Sequence, residues 1–239
     1  MDLNIHSPLP ERRVWRIGCI GSGFIMNDCH LIAYGKAGFN PVAIASRTQA
    51  NAAKCAGQHD IPTVHDSIEQ LLDDESIEVL DLAVPPDNQL EIIQAACARG
   101  TAKGILAQKP LGANYTEAVA AVEACEQAGI VLAVNQNMRY DQSMRVLKQI
   151  IDGGELGEIV FAQIDMHAIP HWQGFLQGYD RLTLSNMSVH HLDALRFLFG
   201  DPSEVTSLTR PDPRTTFAHS DGIVVSTLRF PSGVVAVSL

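Results

Sequence analysis

The sequence predicts an α/β protein in which a doubly wound parallel sheet is followed by a smaller α+β domain. Three observations support this fold class. Short apolar runs alternate with helical patterns from about Val14 to Asn135. Those runs are almost continuously apolar, which is typical of strands covered by helices on both faces. After residue 135 the pattern changes to helices, strands and a hairpin turn, which indicates an antiparallel or mixed sheet.

The first part contains strand patterns that are each followed by a helical pattern. The predicted strands are residues 14–20, 41–46, 62–64, 79–85, 103–108 and 130–135. The predicted helices cover residues 24–37, 48–59, 67–74, 87–100 and 114–129. Glycines at or near most of the helix ends favour termination there, because glycine readily adopts the left-handed conformation of a helix C-terminus.

The second part has a different pattern of apolar and polar residues. A helix is predicted over 143–157, a long strand over 158–169, a polar and aromatic loop over 170–181, and a helix over 184–200. Strand patterns follow at 204–209, 222–230 and 233–239, and Pro231-Ser232-Gly233 predicts a hairpin turn. We therefore expect a flexible N-terminal arm at 1–13, a first domain at 14–135 and a second at 136–239. Because the pattern stops within a strand, we expect the second domain to be partial.

Composition favours a cytoplasmic protein with a small-molecule substrate. The chain has 239 residues, is 46% hydrophobic and carries a net charge of −10. This charge argues against nucleic acid or a membrane as a partner. The N-terminal segment has no apolar core of a signal peptide, and no apolar run is long enough to span a bilayer. The 5 cysteines are scattered, which favours reduced thiols over a disulfide framework or a zinc site.

The first strand runs into Gly21-Ser22-Gly23, where a third glycine is replaced by Met26. A G-x-G turn between a strand and a helix lets the backbone approach a pyrophosphate at the helix N-terminus. We therefore predict that residues 21–25, Gly21, Ser22, Gly23, Phe24 and Ile25, bind a dinucleotide. An ordinary tight turn is the alternative.

The end of the second strand bears on which dinucleotide binds. Enzymes that use NAD commonly place an acidic residue there for the ribose 2′-hydroxyl, whereas an arginine accommodates a 2′-phosphate. This chain has Ser46 and Arg47 and no acid nearby. The pattern favours NADP slightly and leaves NAD open; a solvated arginine at a strand end is the alternative.

Two further segments carry groups suited to proton transfer. Lys109 follows the fifth strand, at the carboxyl edge where ligands of open α/β sheets bind, although a surface lysine is the alternative. Asn186, His190 and Asp193 fall at helical i, i+4, i+7 spacing, so we expect them to share one face, and His190 suits a general base. The alternative is a hydrogen-bonded structural helix. Adjacent histidines point about 100° apart on a helix, so we predict no metal at His190 and His191.

Several segments, in order along the chain, resemble the Gfo/Idh/MocA oxidoreductases, the family of glucose–fructose oxidoreductase and inositol dehydrogenase. They are GSGFIMNDCH, VPPDNQ, AQKPLG, NQNMRYD, GGELGEIV and NMSVHHLDALRFLFGDP. The resemblance implies an N-terminal Rossmann domain and a C-terminal α+β domain whose open sheet face commonly serves oligomerisation, hence a homo-oligomer (dimer or tetramer). It also implies an NAD(P)-dependent oxidoreductase that acts on a sugar, cyclitol or related polyol. Family members are longer, which implies that the last third is absent here.

The resemblance also implies roles for individual residues. Lys109 and His190 would be catalytic with Asn186, and Pro85 and Lys109 would lie at the cofactor. The chain departs from the family pattern at four positions, which are Gln89 for His, Gln108 for Glu, Asn186 for Asp and Ser188 for Gly. These departures leave open a non-catalytic, nucleotide-binding or ligand-sensing protein. A substrate pocket is predicted from polar and aromatic residues of the second domain, which are Arg139, Tyr140, His167, His171, Trp172, Gln173 and Asp193.

Overall fold

The computed structural model describes residues 3–167 and 174–239, and the chain forms two compact units. One unit is Leu9–Asn135. The other is Gln136–Leu239 together with the N-terminal residues through Pro8. No helix among the described residues is both long and apolar enough to cross a membrane.

The first unit contains a six-stranded sheet with the order β3-β2-β1-β4-β5-β6. All of its strand pairs are parallel, which confirms the predicted doubly wound sheet. The strands are β1 Arg16–Ile20, β2 Asn40–Ala45, β3 Thr63–Val64, β4 Val79–Leu82, β5 Gly104–Ala107 and β6 Val131–Val134. The order reverses between β1 and β4, and ligands of open α/β sheets bind at such a switch point.

Helices cover both faces of this sheet. They are α1 Leu31–Ala37, α2 Gln49–Gln58, α3 Ile68–Leu72, α4 Pro86–Arg99 and α5 Tyr115–Ala128. One apolar cluster packs β-strand residues against α1 and α2, and another packs them against α3, α4 and α5. The strands are nearly all apolar because both of their faces are buried in this way.

Local chemistry determines where several of these helices begin and end. Ser67 and Asn114 cap α3 and α5 by accepting the N–H groups of Gln70 and Glu117. Glycines in the left-handed conformation follow α1, α4 and α5; they are Gly38, Gly100 and Gly129. A residue in this conformation lets the following N–H groups bond the last carbonyls of the helix. Glycine adopts the left-handed conformation without a steric penalty.

The second unit contains a four-stranded mixed sheet with the order β7-β10-β9-β8. Its strands are β7 Phe161–Ile164, β8 Glu204–Arg210, β9 Ile223–Arg229 and β10 Val235–Ser238. β10 pairs parallel with β7 and antiparallel with β9, and β9 pairs antiparallel with β8. The predicted hairpin turn joins β9 to β10, where Phe230 N donates to Val234 O at 2.9 Å.

The helices of the second unit are α6 Gln142–Asp152 and α7 Val189–Phe199, and α7 packs on the sheet through Leu195, Leu228 and Phe230. Strand β7 covers part of the strand predicted over 158–169, of which residues 168 and 169 lie outside the described residues. Its residues pair in register with Val235–Ser238 of β10, and Val235 N also donates to Val160 O at 3.3 Å.

The N-terminal residues of this unit contact α6. Asn4 N donates to Gln149 Oε1 at 2.9 Å, and Gln149 Nε2 donates to Asn4 O at 2.8 Å. Arg145 donates to the carbonyl oxygen of His6 at 2.9 Å. The flexibility expected of residues 1–13 stays a prediction.

Candidate functional site

The glycine turn after β1 is compressed on one side and open on the other. Gly21 has φ +104°, and a Cβ there would lie 2.4 Å from the carbonyl oxygen of Ala83, so only glycine fits. Gly21 N donates to Ala45 O at 2.9 Å, which ties the turn to β2. A Cβ at Gly23 would meet no atom within 4 Å. The turn therefore presents bare backbone on its open side, which a phosphate can approach.

The segment after this turn is a π-helical turn, Ile25–His30, that continues into α1. No side chain caps its N-terminus at Phe24. Uncapped N–H groups at a helix start are the donors that bind phosphate in nucleotide sites. π-Helical turns are rare and occur frequently at functional sites. Residues 21–25 therefore fit the pyrophosphate of a dinucleotide.

Met26 occupies the position where such a turn commonly has its third glycine. Its side chain is fully buried in the cluster that contains Ile17, Cys19 and Leu31. The third glycine of such a turn serves close packing of helix on strand, not phosphate contact. Met26 fills the same interface with a flexible apolar side chain and leaves the open side of Gly23 unobstructed.

The chain segment that follows β2 carries a cation and no acidic residue before α2 ends. Ser46 is half-buried, and Arg47 is exposed immediately beyond the strand. The first acidic residue after β2 in the chain is Asp60, which follows α2. The structure thus places Ser46 and Arg47 at the carboxyl edge of the same sheet as the glycine turn, because parallel strands β1 and β2 end together.

Lys109 lies in the loop that follows β5, on the same carboxyl edge. Its pKa is lowered by burial. The loop is held by Gln89, whose Oε1 accepts Gln108 N at 2.8 Å and whose Nε2 donates to Pro110 O at 2.7 Å. Sequence reasoning noted Gln89 only as a departure from the family pattern. Gln89 lies on the apolar face of α4, and a polar side chain on such a face indicates buried polar partners.

Asp81 is a second buried polar residue of this unit, and sequence reasoning missed it. Asp81 on β4 is fully buried, and His30 Nδ1 lies 2.8 Å from its Oδ2. Tyr34 donates its hydroxyl to the same oxygen at 2.6 Å. Burial and the Asp81 charge raise the pKa of Tyr34. Asn135 Nδ2 lies 2.8 Å from His30 Nε2.

His30 thus contacts Asp81 through Nδ1 and Asn135 through Nε2. The network links the end of the π-helical turn to β4 and to the end of β6. It therefore supports the segment that carries the glycine turn.

In the second unit, Asn186 lies in a π-helical turn, Leu184–Ser188, that leads into α7. We predicted one shared face for Asn186, His190 and Asp193 from regular α-helical spacing. That spacing begins only at Val189, so it applies to His190 and Asp193 but not to Asn186. His190 is in the first turn of α7. Both π-helical turns thus fall on segments where the sequence predicted function.

The start of this segment is held by a buried carboxylate that sequence reasoning did not single out. Asp221 is fully buried and accepts the backbone N–H of Leu182 at 2.5 Å and that of Leu184 at 2.8 Å. The N–H of Thr183 lies 3.3 Å from the same carboxylate. Asp221 therefore caps, from the loop before β9, the helical segment that carries Asn186 and His190.

Two of the predicted pocket residues pair with each other. Arg139 Nε donates to Asp193 Oδ2 at 2.8 Å, and a second guanidinium nitrogen bonds Asp193 Oδ1. This bond to Asp193 raises the pKa of Arg139. His167 is exposed and lies 2.7 Å from Asp165. Trp172, His171 and Gln173 lie outside the described residues.

Within the described parts of the chain, no group of three or more His, Cys, Asp or Glu side chains is arranged to hold a metal. All 5 cysteines are free thiols.

Family models match both units of the chain. A model described as "Oxidoreductase family, NAD-binding Rossmann fold" (GFO_IDH_MocA) matches residues 15–136. A model described as "GFO/IDH/MocA C-terminal domain" matches residues 144–238. The first alone covers about half of the chain, and the pair follows the order of the two units.

Proteins similar to this chain include a reductase and dehydrogenases named for carbohydrates. The chain is 28% identical over 228 residues to 1,5-anhydro-D-fructose reductase of Ensifer adhaerens, covering 92% of this chain and 67% of that protein. It is 26% identical over 223 residues to D-apiose dehydrogenase of Paraburkholderia graminis, covering 91% of this chain and 58% of that one. The structure matches levoglucosan dehydrogenase in complex with NADH with a TM-score of 0.80 and 26% identity, covering 94% of this chain and 66% of that chain. The chain thus spans about three fifths to two thirds of the length of these proteins.

Proposed function

The chain belongs to the Gfo/Idh/MocA oxidoreductase family, and we propose that it is an NAD(P)-dependent dehydrogenase acting on a CH–OH group of a sugar, cyclitol or related polyol. One observation carries this proposal. The open glycine turn after β1 and the Lys109 loop after β5 share the carboxyl edge of one parallel sheet. The names of the relatives, which are enzymes of anhydrofructose, apiose and levoglucosan, support a carbohydrate-like substrate.

We assign the cofactor to residues of the first unit. Residues 21–25 hold the pyrophosphate, Ser46 and Arg47 lie toward the adenosine end, and Pro85 and Lys109 lie toward the nicotinamide. The exposed guanidinium of Arg47 favours a 2′-phosphate and hence NADP, with NAD as the alternative. When bound, the nicotinamide supplies the acceptor or donor of the hydride.

The chain's own residues would handle the proton. The Lys109 ammonium donates a hydrogen bond to the substrate hydroxyl oxygen and stabilises the negative charge that develops there. A lowered pKa suits this role, because a more acidic ammonium is a stronger hydrogen-bond donor to that charge while His190 takes the proton. His190 acts as general base, and Asn186 orients it through a hydrogen bond without supplying charge. Arg139, His167, Trp172 and Asp193 are our candidates for substrate contacts.

A second candidate function is a ligand sensor that binds nucleotide without turnover. It is favoured by the neutral amides at Gln89, Gln108 and Asn186, where the family pattern has a histidine and two acids. Neutral groups at these positions leave fewer proton-accepting side chains.

A single experiment separates the two candidates. The chain is incubated with NAD⁺ or NADP⁺ and a panel of sugars, cyclitols and polyols, and reduced nicotinamide is followed by absorbance. The dehydrogenase proposal expects turnover with at least one alcohol and its loss in Lys109→Met. Tight cofactor binding with no turnover on any alcohol, and no reduction of the matching ketones by NAD(P)H, would support the sensor instead.

A further inference from the structure

The side chain of Gln89 holds the main chain on both sides of Lys109. Its amide oxygen accepts the N–H of Gln108 at 2.8 Å, and its amide nitrogen donates to the carbonyl oxygen of Pro110 at 2.7 Å. Gln89 lies in the first turn of α4 and is fully buried. We propose that Gln89 is a positioning residue for Lys109, which it fixes by bracketing the lysine's backbone.

The chemistry of the two partners makes the amide specific. A backbone N–H can only donate and a backbone carbonyl can only accept, so the orientation of the Gln89 amide is determined. The side chain must offer one acceptor and one donor at the same time. An ionised carboxylate has acceptors only, and a methionine side chain of similar length has no donor and only a weak acceptor.

The order of the strands brings these groups together. α4 follows β4, and β4 pairs with β5 in the sheet. The first turn of α4 therefore comes beside the end of β5, where residues 108–110 follow Ala107. Since Gln89 is buried, other conformations of this loop would leave its amide unsatisfied, which is costly away from water.

A second amide acts in the same loop. Gln108 Oε1 accepts the N–H of Lys109 at 2.9 Å. The N–H groups of residues 108 and 109 are thus both satisfied by neutral side-chain amides. Burial lowers the pKa of Lys109, and neither amide adds a negative charge that would oppose this effect. Gln89 and Gln108, which both depart from the family pattern, therefore hold the backbone of the same loop.

The consequence for turnover rests on the proposed function, whereas the placement of Lys109 can be tested without any substrate. The test compares Gln89→Met with Gln94→Met, the same substitution at an exposed glutamine of the same helix. Thermal unfolding first establishes that both variants fold. Hydrogen–deuterium exchange then reports on the backbone of residues 104–112. Reductive methylation as a function of pH, resolved by peptide mass spectrometry, reports on the Lys109 amine.

We expect Gln89→Met to speed exchange in this segment about tenfold, the value of one lost hydrogen bond. We also expect the methylation profile of Lys109 to move to higher pH, because a loosened loop exposes its ammonium to water. Gln94→Met should match the wild type in both measurements. Unchanged exchange and an unchanged Lys109 profile in folded Gln89→Met would overturn the proposal.

Gln89→Glu provides a test that does not depend on the methionine variant folding. A protonated glutamic acid keeps one acceptor and one O–H donor, so it can make both contacts. The ionised form has no donor for Pro110 O. We expect exchange of residues 104–112, corrected for the intrinsic pH dependence of amides, to change from protected to fast as pH rises in this variant only. A pH-independent pattern equal to the wild type would contradict the bracketing role.

Turnover completes the test. We expect Gln89→Met to lower kcat on the order of 10- to 100-fold while the Kd of the cofactor stays within about twofold, since misplacement of a reacting group costs rate more than binding. A wild-type kcat alongside accelerated exchange would overturn the positioning role in catalysis. If the wild type turns over no alcohol, the proposed function fails, and the Lys109 profile alone decides whether Gln89 positions it.

Discussion

His30 Nδ1 lies 2.8 Å from Asp81 Oδ2, and both side chains are buried in the first unit. The hydroxyl of Tyr34 shares the same carboxylate oxygen. This carboxylate thus joins the π-helical turn after β1 and helix α1 to strand β4. Its removal leaves the buried His30 and the half-buried Tyr34 without their acceptor, and an unsatisfied donor away from water is costly.

We therefore expect Asp81→Ala to lower the free energy of unfolding by about 2–6 kcal/mol, at about 1–3 kcal/mol for each donor left without its acceptor. Tyr34→Phe removes only one donor and should cost about 0.5–1.5 kcal/mol. Urea denaturation followed by circular dichroism measures both. A loss of less than 1 kcal/mol in Asp81→Ala would show that the network contributes little to stability.

The two glycines of the turn should respond differently to alanine. Gly21→Ala places a Cβ 2.4 Å from Ala83 O at a positive φ, so the variant should be strongly destabilised. Gly23→Ala meets no atom of the chain within 4 Å and should unfold at the wild-type temperature. It should nevertheless bind NAD(P)H more weakly, because its methyl group occupies the side from which we propose that phosphate approaches. Differential scanning fluorimetry and titration of nicotinamide fluorescence test the pair; wild-type affinity in Gly23→Ala would place the pyrophosphate elsewhere.

Arg47 should distinguish the two dinucleotides. Arg47→Asp removes the cation proposed for the 2′-phosphate and supplies an acceptor for a ribose hydroxyl. We expect NADP affinity to fall at least tenfold while NAD affinity is kept or improved. Lys54→Asp, the same change of charge on α2, controls for a general electrostatic effect and should alter the ratio of the two affinities little. Equal losses for both cofactors in Arg47→Asp would indicate a structural arginine.

Proton transfer should depend most on Lys109. We expect Lys109→Met to abolish turnover while the cofactor still binds, and His190→Ala to lower kcat by about 10²–10⁴-fold. Activity should rise with pH as the base loses its proton. Asn186→Asp should shift that rise to higher pH, because a carboxylate favours the protonated imidazole. Wild-type turnover by Lys109→Met on an established substrate would refute the assignment.

Asp221 should matter for both stability and rate. Asp221→Ala leaves the N–H groups of Leu182 and Leu184 without their acceptor, and we expect a loss of about 1–3 kcal/mol in unfolding free energy. We also expect a lower kcat, because this segment carries Asn186 and His190. Asp201→Ala, at the exposed pair with Arg196 beyond the other end of α7, should cost at most about 1 kcal/mol. Equal effects of the two substitutions on unfolding would argue against the capping role.

Much of the fold follows from local patterns in the sequence. The alternation of apolar runs with helical patterns predicted each strand of the parallel sheet, and its strand bounds differ from the structure by only a few residues. Glycines marked the ends of α1, α4 and α5, and Pro231-Ser232-Gly233 marked the β9–β10 hairpin. These features depend on period and turn chemistry, which neighbouring residues determine among themselves.

The two π-helical turns were beyond such reasoning. Residues 25–30 and 184–188 have ordinary helical composition, and an added residue per turn leaves no signature in a short apolar pattern. The π-helical turn at 184–188 nevertheless changes the direction in which Asn186 points relative to a regular helix.

The sequence by itself determined the order of the elements, the glycine turn, the position of Lys109 at a strand end and the resemblance to an oxidoreductase family. Only the tertiary structure decided which polar groups meet. Gln89 reaches a backbone 19 and 21 residues away, and His30 meets Asp81 and Asn135 at separations of 51 and 105. Arg139 meets Asp193 across 54 residues. Such pairings depend on strand order and helix placement, and burial then demands a partner for each polar atom that the fold removes from water.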